Sequence, residues 1–178
     1  MKSLAKRFSP SATDLLRADH TRVVAVFHRY AADLNPHVKH GLVESACAML
    51  EMHAQIEEEI FYPAMRAADS ALVDKSIPEH DAMRVLVATL RGMDPAETDY
   101  DETFFTLMRA VLHHVADEET KLFPRAERLF PEDLPRMGAQ MAKRRLQLGA
   151  PRVAPYAGVA AAAAGLLAGA LIYRQVRR

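Results

Sequence analysis

The chain has 178 residues, of which 50% are hydrophobic and 26% are charged. These values are typical of one folded domain with at most a small appendage, and they exclude disordered, collagen-like and low-complexity chains. A single cysteine, Cys47, excludes a disulfide framework and a cysteine-rich metal site. The absence of tryptophan and an aromatic fraction of 7% argue against a stacking platform for single-stranded nucleic acid.

The net charge of zero conceals a sharp division along the chain. Residues 1–133 contain 15 basic and 23 acidic residues, a net charge of −8, and the remaining 45 residues carry a net charge of +8. Because an acidic main domain repels phosphates, no nucleic-acid partner is expected. The first residues lack the apolar core of a secretory signal peptide, so we expect the folded part of the chain to stay in the cytoplasm.

Apolar residues recur at helical spacing, and no alternating β pattern of useful length is present. Four helices are predicted, from the Ser9–Asp14 segment to Leu34, from His40 to Arg66, from Pro78 to Gly92 and from Thr98 past Pro124. The connections between them are short, as in an up-down-up-down bundle. The predicted fold class is therefore all-α, with a four-helix bundle over residues 11–130 and an amphipathic helix over residues 131–149.

An internal repeat of about 60 residues is the main signal in the sequence. Its first part is an acid–His pair, which occurs as Asp19-His20 and again as Glu79-His80. Its second part is a His-x3-Glu-Glu motif followed by an aromatic residue and proline. It occurs as His53-x3-Glu57-Glu58 with Tyr62-Pro63, and as His114-x3-Glu118-Glu119 with Phe123-Pro124. The chain therefore reads as two half-bundles of two helices each.

Helical phase turns one His and one Glu of each motif inward, because residues four apart share a face of a helix. His114, for example, shares its face with Leu107 and Val111, whereas His113 is predicted to face solvent. Two carboxylates and four imidazoles are costly to bury in a bundle core unless they are paired. A metal resolves that cost: imidazole with carboxylate suits iron, manganese or zinc, and bridging carboxylates in a helical bundle suit a metal pair.

Other titratable residues receive a structural interpretation. We expect His28, His37, His40 and His113 to lie on the surface or in loops, and Glu58, Glu59 and Glu119 to be solvated. Cys47 lies beside the apolar stripe of its helix and is interpreted as a small buried hydrophobic residue rather than a reactive thiol.

These motifs resemble the hemerythrin-like (HHE cation-binding) family, and the resemblance covers about residues 11–148. It implies a non-haem di-iron centre in a four-helix bundle, with His20, His53, His80 and His114 as terminal ligands and Glu57 and Glu118 as bridging carboxylates. There is one departure. Oxygen-carrying members have two histidines four residues apart on the third helix, and here Arg84 follows His80 on that face. One protein ligand is therefore missing, which leaves more open coordination and also permits occupancy by a single metal.

The carboxyl-terminal segment is interpreted as a membrane anchor over residues 153–174. The stretch from Ala157 to Ile172 has no polar side chain, is bracketed by tyrosines and has basic residues on both sides. Gly158, Gly165 and Gly169 lie near one another on a helical wheel and predict self-association. The alternative is an alanine-rich soluble or disordered tail. The anchor interpretation puts the protein at the cytoplasmic membrane, with the bundle facing the cytoplasm.

The predicted function is a membrane-tethered di-iron protein. It would bind or sense oxygen, nitric oxide or peroxide, or handle iron under oxidative or nitrosative stress. One alternative is a di-iron peroxidase or oxidase, for which Tyr62 is a candidate proton donor by residue type. A second alternative is an interaction module whose metal only stabilises the bundle.

Overall fold

The computed structural model describes residues 10–67 and 69–149, and this part of the chain is helical and contains no strand. Its α-helices are α1 (Ala12–Phe27), α2 (Pro36–Ile56), α3 (Tyr62–Arg66), α4 (Ser70–Gly92), α5 (Tyr100–Asp117), α6 (Phe123–Leu129) and α7 (Leu134–Gly149). A first π-turn, Glu57–Phe61, joins α2 to α3, and a second π-turn, Glu118–Leu122, joins α5 to α6. The all-α prediction is confirmed for the described residues.

The four long helices α1, α2, α4 and α5 pack around two apolar clusters, one at each end of the bundle. One cluster contains the start of α1 and α4 and the end of α2, including Leu16, Ile56 and Val73. The other contains the end of α1 and α4 and the start of α2 and α5, including Phe27, Val43, Leu90 and Phe104. Successive long helices therefore run in opposite directions, as an up-down-up-down bundle requires.

The boundary between α1 and α2 differs from the prediction. Helix α1 begins as predicted, with a capping box in which Ser11 and Asp14 each accept the other's backbone N–H. It ends at Phe27, not Leu34, and α2 begins at Pro36, not His40. Asn35 caps α2 by accepting the backbone N–H of His37 at 2.9 Å. Proline at the first helical position suits a helix start because its missing N–H needs no partner there, and Pro36 occupies this position.

The predicted start of α4 at Pro78 is also wrong. The helix begins at Ser70, where Asp69 accepts the backbone N–H of Leu72 at 3.2 Å, and Pro78 lies inside it. An interior proline removes one backbone hydrogen bond, and here the helix continues through it to Gly92.

The two π-turns explain how α2 and α5 accommodate the prolines of the repeat. In each π-turn the backbone N–H of the aromatic residue bonds to the carbonyl five residues earlier, from Tyr62 to Glu57 and from Phe123 to Glu118. Pro63 and Pro124 then fall at the start of α3 and α6. The wider turn returns each aromatic residue to the buried side of the bundle, where both Tyr62 and Phe123 are at most 2% exposed. Single π-turns of this kind are often found at functional sites.

Helix α7 follows the bundle and packs on it through one face. Leu134, Met137, Gly138 and Met141 are buried, and the opposite face is basic. Among residues 10–67 and 69–149, no helix combines the length and the apolar character that a membrane crossing requires. The anchor predicted over residues 153–174, including Gly158, Gly165 and Gly169, lies outside the described residues.

We expect Gly138→Ala to destabilise the protein. A Cβ atom at this position would lie 2.2 Å from the Pro10 carbonyl oxygen, a backbone atom that cannot rotate away. Forced overpacking of this kind costs about 1–3 kcal/mol in the free energy of unfolding. The matched control is Gly41→Ala, which meets nothing within 4 Å in α2 and should instead add about 0.5–1 kcal/mol. Urea denaturation of both variants checks this, and equal stabilities would contradict the packing of α7 on α1.

Candidate metal centre

A buried polar layer separates the two apolar clusters of the bundle. Its members are the six residues predicted as the site, each at most 6% exposed: His20, His53, Glu57, His80, His114 and Glu118. One histidine comes from each of the four long helices, and each glutamate is the first residue of a π-turn. The structure thus brings together all six residues that the repeat singled out.

The two glutamates lie between two pairs of histidines. The rings of His20 and His53 form one pair, with centroids 4.9 Å apart, and those of His80 and His114 form the other, 4.6 Å apart. Glu57 Oε2 lies 3.0 Å from His53 Nε2 and 3.4 Å from His80 Nε2. Glu118 Oε2 lies 3.4 Å from His20 Nε2 and 3.5 Å from His114 Nε2. Each carboxylate therefore contacts one histidine of each pair.

Several atoms of this layer are buried without a hydrogen-bond partner: His20 Nε2, both ring nitrogens of His53, Glu57 Oε1 and Glu118 Oε2. Buried polar atoms without a partner cost free energy, so they are rare in folded proteins. His53, Glu57, His114 and Glu118 can each offer one ligand atom, all within 4.8 Å of one another. Imidazole and carboxylate donors in this arrangement fit iron, manganese or zinc. The residues present therefore fit a cation.

An outer ring of carboxylates faces the Nδ1 atoms of the same histidines. Three of these atoms donate hydrogen bonds of 2.9 Å: His20 to Glu119, His80 to Glu58 and His114 to Glu79. The fourth, His53 Nδ1, lies 3.7 Å from Asp19 Oδ2. Such outer carboxylates fix the tautomer of a histidine and turn its other nitrogen toward the centre.

The prediction that Glu58 and Glu119 are solvated is wrong. Both are partly exposed, but each accepts a hydrogen bond from a buried histidine of the other half-bundle. Phase on a single helix could not show this, because the contact crosses between helices. One feature of the sequence does point to a role for these two residues: both occupy the same position of the repeat, directly after Glu57 and Glu118. Glu59 does face solvent and pairs with Arg144.

The departure from the third-helix pattern has a structural explanation. Arg84, which follows His80 on α4, does not enter the centre. One nitrogen of its guanidinium donates to both carboxylate oxygens of Glu58, each at 2.7 Å. Arg84 therefore supports the carboxylate that holds His80, and it supplies no ligand itself.

The carboxylates determine the protonation of the layer in the metal-free protein. Burial disfavours the charged form of His53, but the neighbouring Glu57 and Asp19 carboxylates outweigh it and raise its pKa to about 10. Burial alone would raise the pKa of Glu57, yet His53 and His80 hold that pKa well below its usual range. At neutral pH, then, the His53 ring is a cation, and its charge lies beside the Glu57 carboxylate.

Tyr62 and Phe123 occupy matching places in the two halves. Phe123 stacks on His20 with ring centroids 5.6 Å apart, and Tyr62 stacks on His80 at 5.5 Å. Only Tyr62 carries a hydroxyl, which donates to Glu118 Oε1 at 2.8 Å and lies 3.3 Å from Glu57 Oε2. Burial and these two carboxylates raise the pKa of Tyr62 far above its ordinary value, so the hydroxyl keeps its proton.

A narrow cavity of about 30 Å³ lies on one side of the polar layer. The four histidines form part of its wall, and most of the remainder is apolar, with Val23, Leu50, Met83, Val87 and Val111. A single water needs roughly 10–15 Å³ of such volume. The cavity therefore has room for two or three molecules of about that size.

The remaining histidines and the cysteine are placed as predicted. The side chain of His113 is 65% exposed, and His28, His37 and His40 are also on the surface. Cys47 is fully buried, and burial raises the pKa of its thiol to about 11, so it stays unreactive at neutral pH.

Known proteins resemble this chain in both sequence and fold. An uncharacterized protein of Mycobacterium tuberculosis, Rv2633c, is 30% identical over 142 residues, which cover 78% of this chain and 87% of that protein. A DNA nickase of a Nostoc species is 25% identical over 111 residues, and this chain spans about a third (32%) of its length. The crystal structure of an Rv2633c homologue from Mycobacterium kansasii, a hemerythrin HHE cation-binding domain-containing protein, shares the fold. It superposes with a TM-score of 0.67 at 21% identity, over 78% of this chain and 86% of that one.

The family model of the hemerythrin HHE cation-binding domain matches residues 11–126, which include all six residues of the polar layer. The match ends within α6, so α7 lies beyond it. With a match over this much of the chain, and four helices that each contribute one histidine to the buried layer, this protein belongs to the hemerythrin HHE cation-binding domain family.

Proposed function

We propose that the protein is a non-haem di-iron protein that binds oxygen, nitric oxide or peroxide at the buried polar layer. In this proposal His20 and His53 would hold one ion and His80 and His114 the other, and Glu57 and Glu118 would serve both. The observation that carries it is the pairing itself: each glutamate contacts one histidine of each pair. A bound iron pair would supply electrons and an open coordination position for such a ligand.

Two features support a small ligand over a larger one. The cavity beside the histidines is about 30 Å³ and is mostly apolar, which suits a molecule of two to four atoms. The position that follows His80 on its face of α4 holds Arg84, which pairs with Glu58 and cannot bind a metal, so an ion held by His80 would keep room for an added ligand. A role in sensing, or in handling iron under oxidative or nitrosative stress, follows from binding of this kind and is part of the proposal.

A di-iron peroxidase or oxidase is the second candidate, and the Tyr62 hydroxyl is the observation that favours it. This hydroxyl is buried, keeps its proton at neutral pH and touches both glutamates and His80. It is therefore placed to donate a hydrogen bond or a proton to a ligand at the centre. A metal that only stabilises the bundle would need neither this hydroxyl nor the cavity.

Membrane tethering and self-association remain predictions from the sequence of residues 150–178 alone. The apolar stretch from Ala157 to Ile172 and its glycines are their only support. Attachment to the cytoplasmic face of a membrane is part of the same proposal.

The ligand set is tested by two adjacent histidines on α5. We expect His114→Ala to lose most of the bound iron, because its side chain is 3% exposed and lies in the polar layer. His113→Ala is the matched control and should keep the full iron content, since its side chain is 65% exposed. Elemental analysis of protein loaded anaerobically with Fe²⁺ should give close to two irons per chain for wild type. Equal losses in both variants would refute the proposed ligands.

Iron binding should tighten as the pH rises. In the metal-free protein the pKa of His53 is about 10, so this ring must release a proton before it can bind a metal at any lower pH. Each released proton strengthens binding about tenfold per pH unit. Competition with a ferrous chelator between pH 6.5 and 7.5 measures this slope, which His113→Ala should not alter. An affinity that is constant over this range would contradict the proposed role of His53.

The peroxidase candidate predicts a specific loss in Tyr62→Phe. The variant should keep its iron, because Tyr62 is not among the proposed ligands, and should consume hydrogen peroxide about 100-fold more slowly or worse. Tyr30→Phe is the control: it removes another partly buried hydroxyl, which donates to Asp101 and is not in contact with the six residues. Equal rates in wild type and Tyr62→Phe would exclude Tyr62 as the donor.

A further inference from the structure

The second half of helix α7 carries two consecutive arginines, Arg144 and Arg145, that contact the bundle in different ways. Arg144 forms a bidentate ion pair with Glu59: its Nε lies 2.5 Å from Oε2 and a terminal nitrogen lies 2.8 Å from Oε1. Glu59 faces solvent and touches no residue of the polar layer. Arg145 instead pairs with Asp19 Oδ2, and its side chain is only 26% exposed. One of the two arginines thus reaches the outer carboxylate ring, and the other does not.

Asp19 connects Arg145 to the polar layer. Its Oδ2 atom lies between the Arg145 guanidinium and His53 Nδ1, which is 3.7 Å away. Its Oδ1 atom accepts a hydrogen bond of 2.8 Å from Arg22, which is 58% exposed. The two arginines therefore act on different oxygens of one carboxylate, and the oxygen that faces His53 is the one held by α7.

The repeat shows why this contact needs support from outside the bundle. Asp19 corresponds to Glu79 in the other half, and Glu79 reaches His114 Nδ1 at 2.9 Å. Aspartate is one methylene shorter than glutamate, so Asp19 stops short of His53. The other outer carboxylates are all glutamates at hydrogen-bond distance from their histidines. The carboxylate with the shortest side chain is the one that receives a cation from α7.

We propose that Arg145 is a positioning residue of the metal centre: it holds Asp19 Oδ2 toward His53 Nδ1 and so makes α7 an energetic part of the site. This inference rests on the proposed binding of iron at His53. Without Arg145, the remaining cation on Asp19 is the exposed Arg22, which draws the carboxylate toward solvent. His53 then loses the partner that orients its ring, and loss of such outer partners weakens metal binding by about 10–100-fold.

The same contact couples iron binding to the docking of α7. Linkage is reciprocal: if docked α7 strengthens iron binding by a given factor, bound iron strengthens the docking of α7 by the same factor. Helix α7 lies beyond the residues that match the family model, and in the sequence it precedes the apolar stretch that begins at Ala157. Occupancy of the centre would thereby influence the helix that leads into that segment.

The first test compares Arg145→Ala with the matched control Arg144→Ala. Both variants remove one ion pair between α7 and the bundle, but only the first touches Asp19. With Fe²⁺-loaded protein under anaerobic conditions, Arg145→Ala should release iron to a ferrous chelator about tenfold faster than wild type. Arg144→Ala should stay within about twofold. Circular dichroism and melting curves of the metal-free variants confirm that both fold. Equal release rates in the two variants would overturn the proposal.

A rescue variant separates positioning from general stability. In Asp19→Glu/Arg145→Ala the longer carboxylate should reach His53 as Glu79 reaches His114, without help from α7. Iron release should return to within about threefold of wild type. A double variant that releases iron as fast as Arg145→Ala would overturn the positioning role.

The reciprocal effect is measured by hydrogen exchange in α7. Its backbone amides should exchange more slowly in iron-loaded than in metal-free wild type, and this difference should shrink in Arg145→Ala but persist in Arg144→Ala. Exchange that is independent of iron in a wild type holding two irons would overturn the coupling and leave the proposed function intact. A wild type that binds no iron would refute both, and the elemental analysis distinguishes the two cases.

Discussion

The burial of four imidazoles and two carboxylates between two apolar layers is the constraint on which the rest of the structure depends. These groups lose their water when the helices pack, so each polar atom needs another partner. The outward Nδ1 atoms of His20, His80 and His114 find carboxylates. Of the inward nitrogens, those of His80 and His114 lie 3.0 Å apart, whereas His20 Nε2 and His53 Nε2 have no hydrogen-bond partner and are available to a cation. The carboxylates are themselves held by cations, as Glu58 is by Arg84. The network therefore extends from the core to the surface in consecutive ion pairs.

The internal repeat gives this network an approximate two-fold symmetry. Two outer contacts stay within one half, His53 with Asp19 and His114 with Glu79, and two cross between the halves, His20 with Glu119 and His80 with Glu58. The symmetry is broken at two pairs of corresponding positions: Tyr62 in one half corresponds to Phe123 in the other, and Asp19 corresponds to Glu79. The first break puts one hydroxyl on one side of the centre. The second leaves one histidine dependent on α7. In our proposal the two ions would therefore differ in their surroundings, because only one half has the Tyr62 hydroxyl and only one half has Asp19.

The π-turns link the backbone to the chemistry of the centre. A regular α-helix would place Tyr62 and Phe123 about 140° around the helix from Glu57 and Glu118, given about 100° per residue. The wider turn returns each aromatic ring to the buried face, where it stacks on a histidine from another helix. It also places each proline at the start of the next helical segment. The His-x3-Glu-Glu motif and the following aromatic-Pro pair are thus parts of one local structure.

The sequence by itself determined the helical class, the repeat and the six inward residues, because helical phase and the spacing of His and Glu are local properties of one helix. It also placed His113 outside and Cys47 inside for the same reason. The starts of α2 and α4 differ from the prediction, because proline can begin a helix, as Pro36 does, or lie inside one, as Pro78 does. Only the tertiary structure decided which carboxylate meets which histidine, that Arg84 serves Glu58, and that Arg145 reaches Asp19. These contacts join residues up to 126 positions apart on different helices, and their geometry depends on how the helices pack rather than on any local pattern.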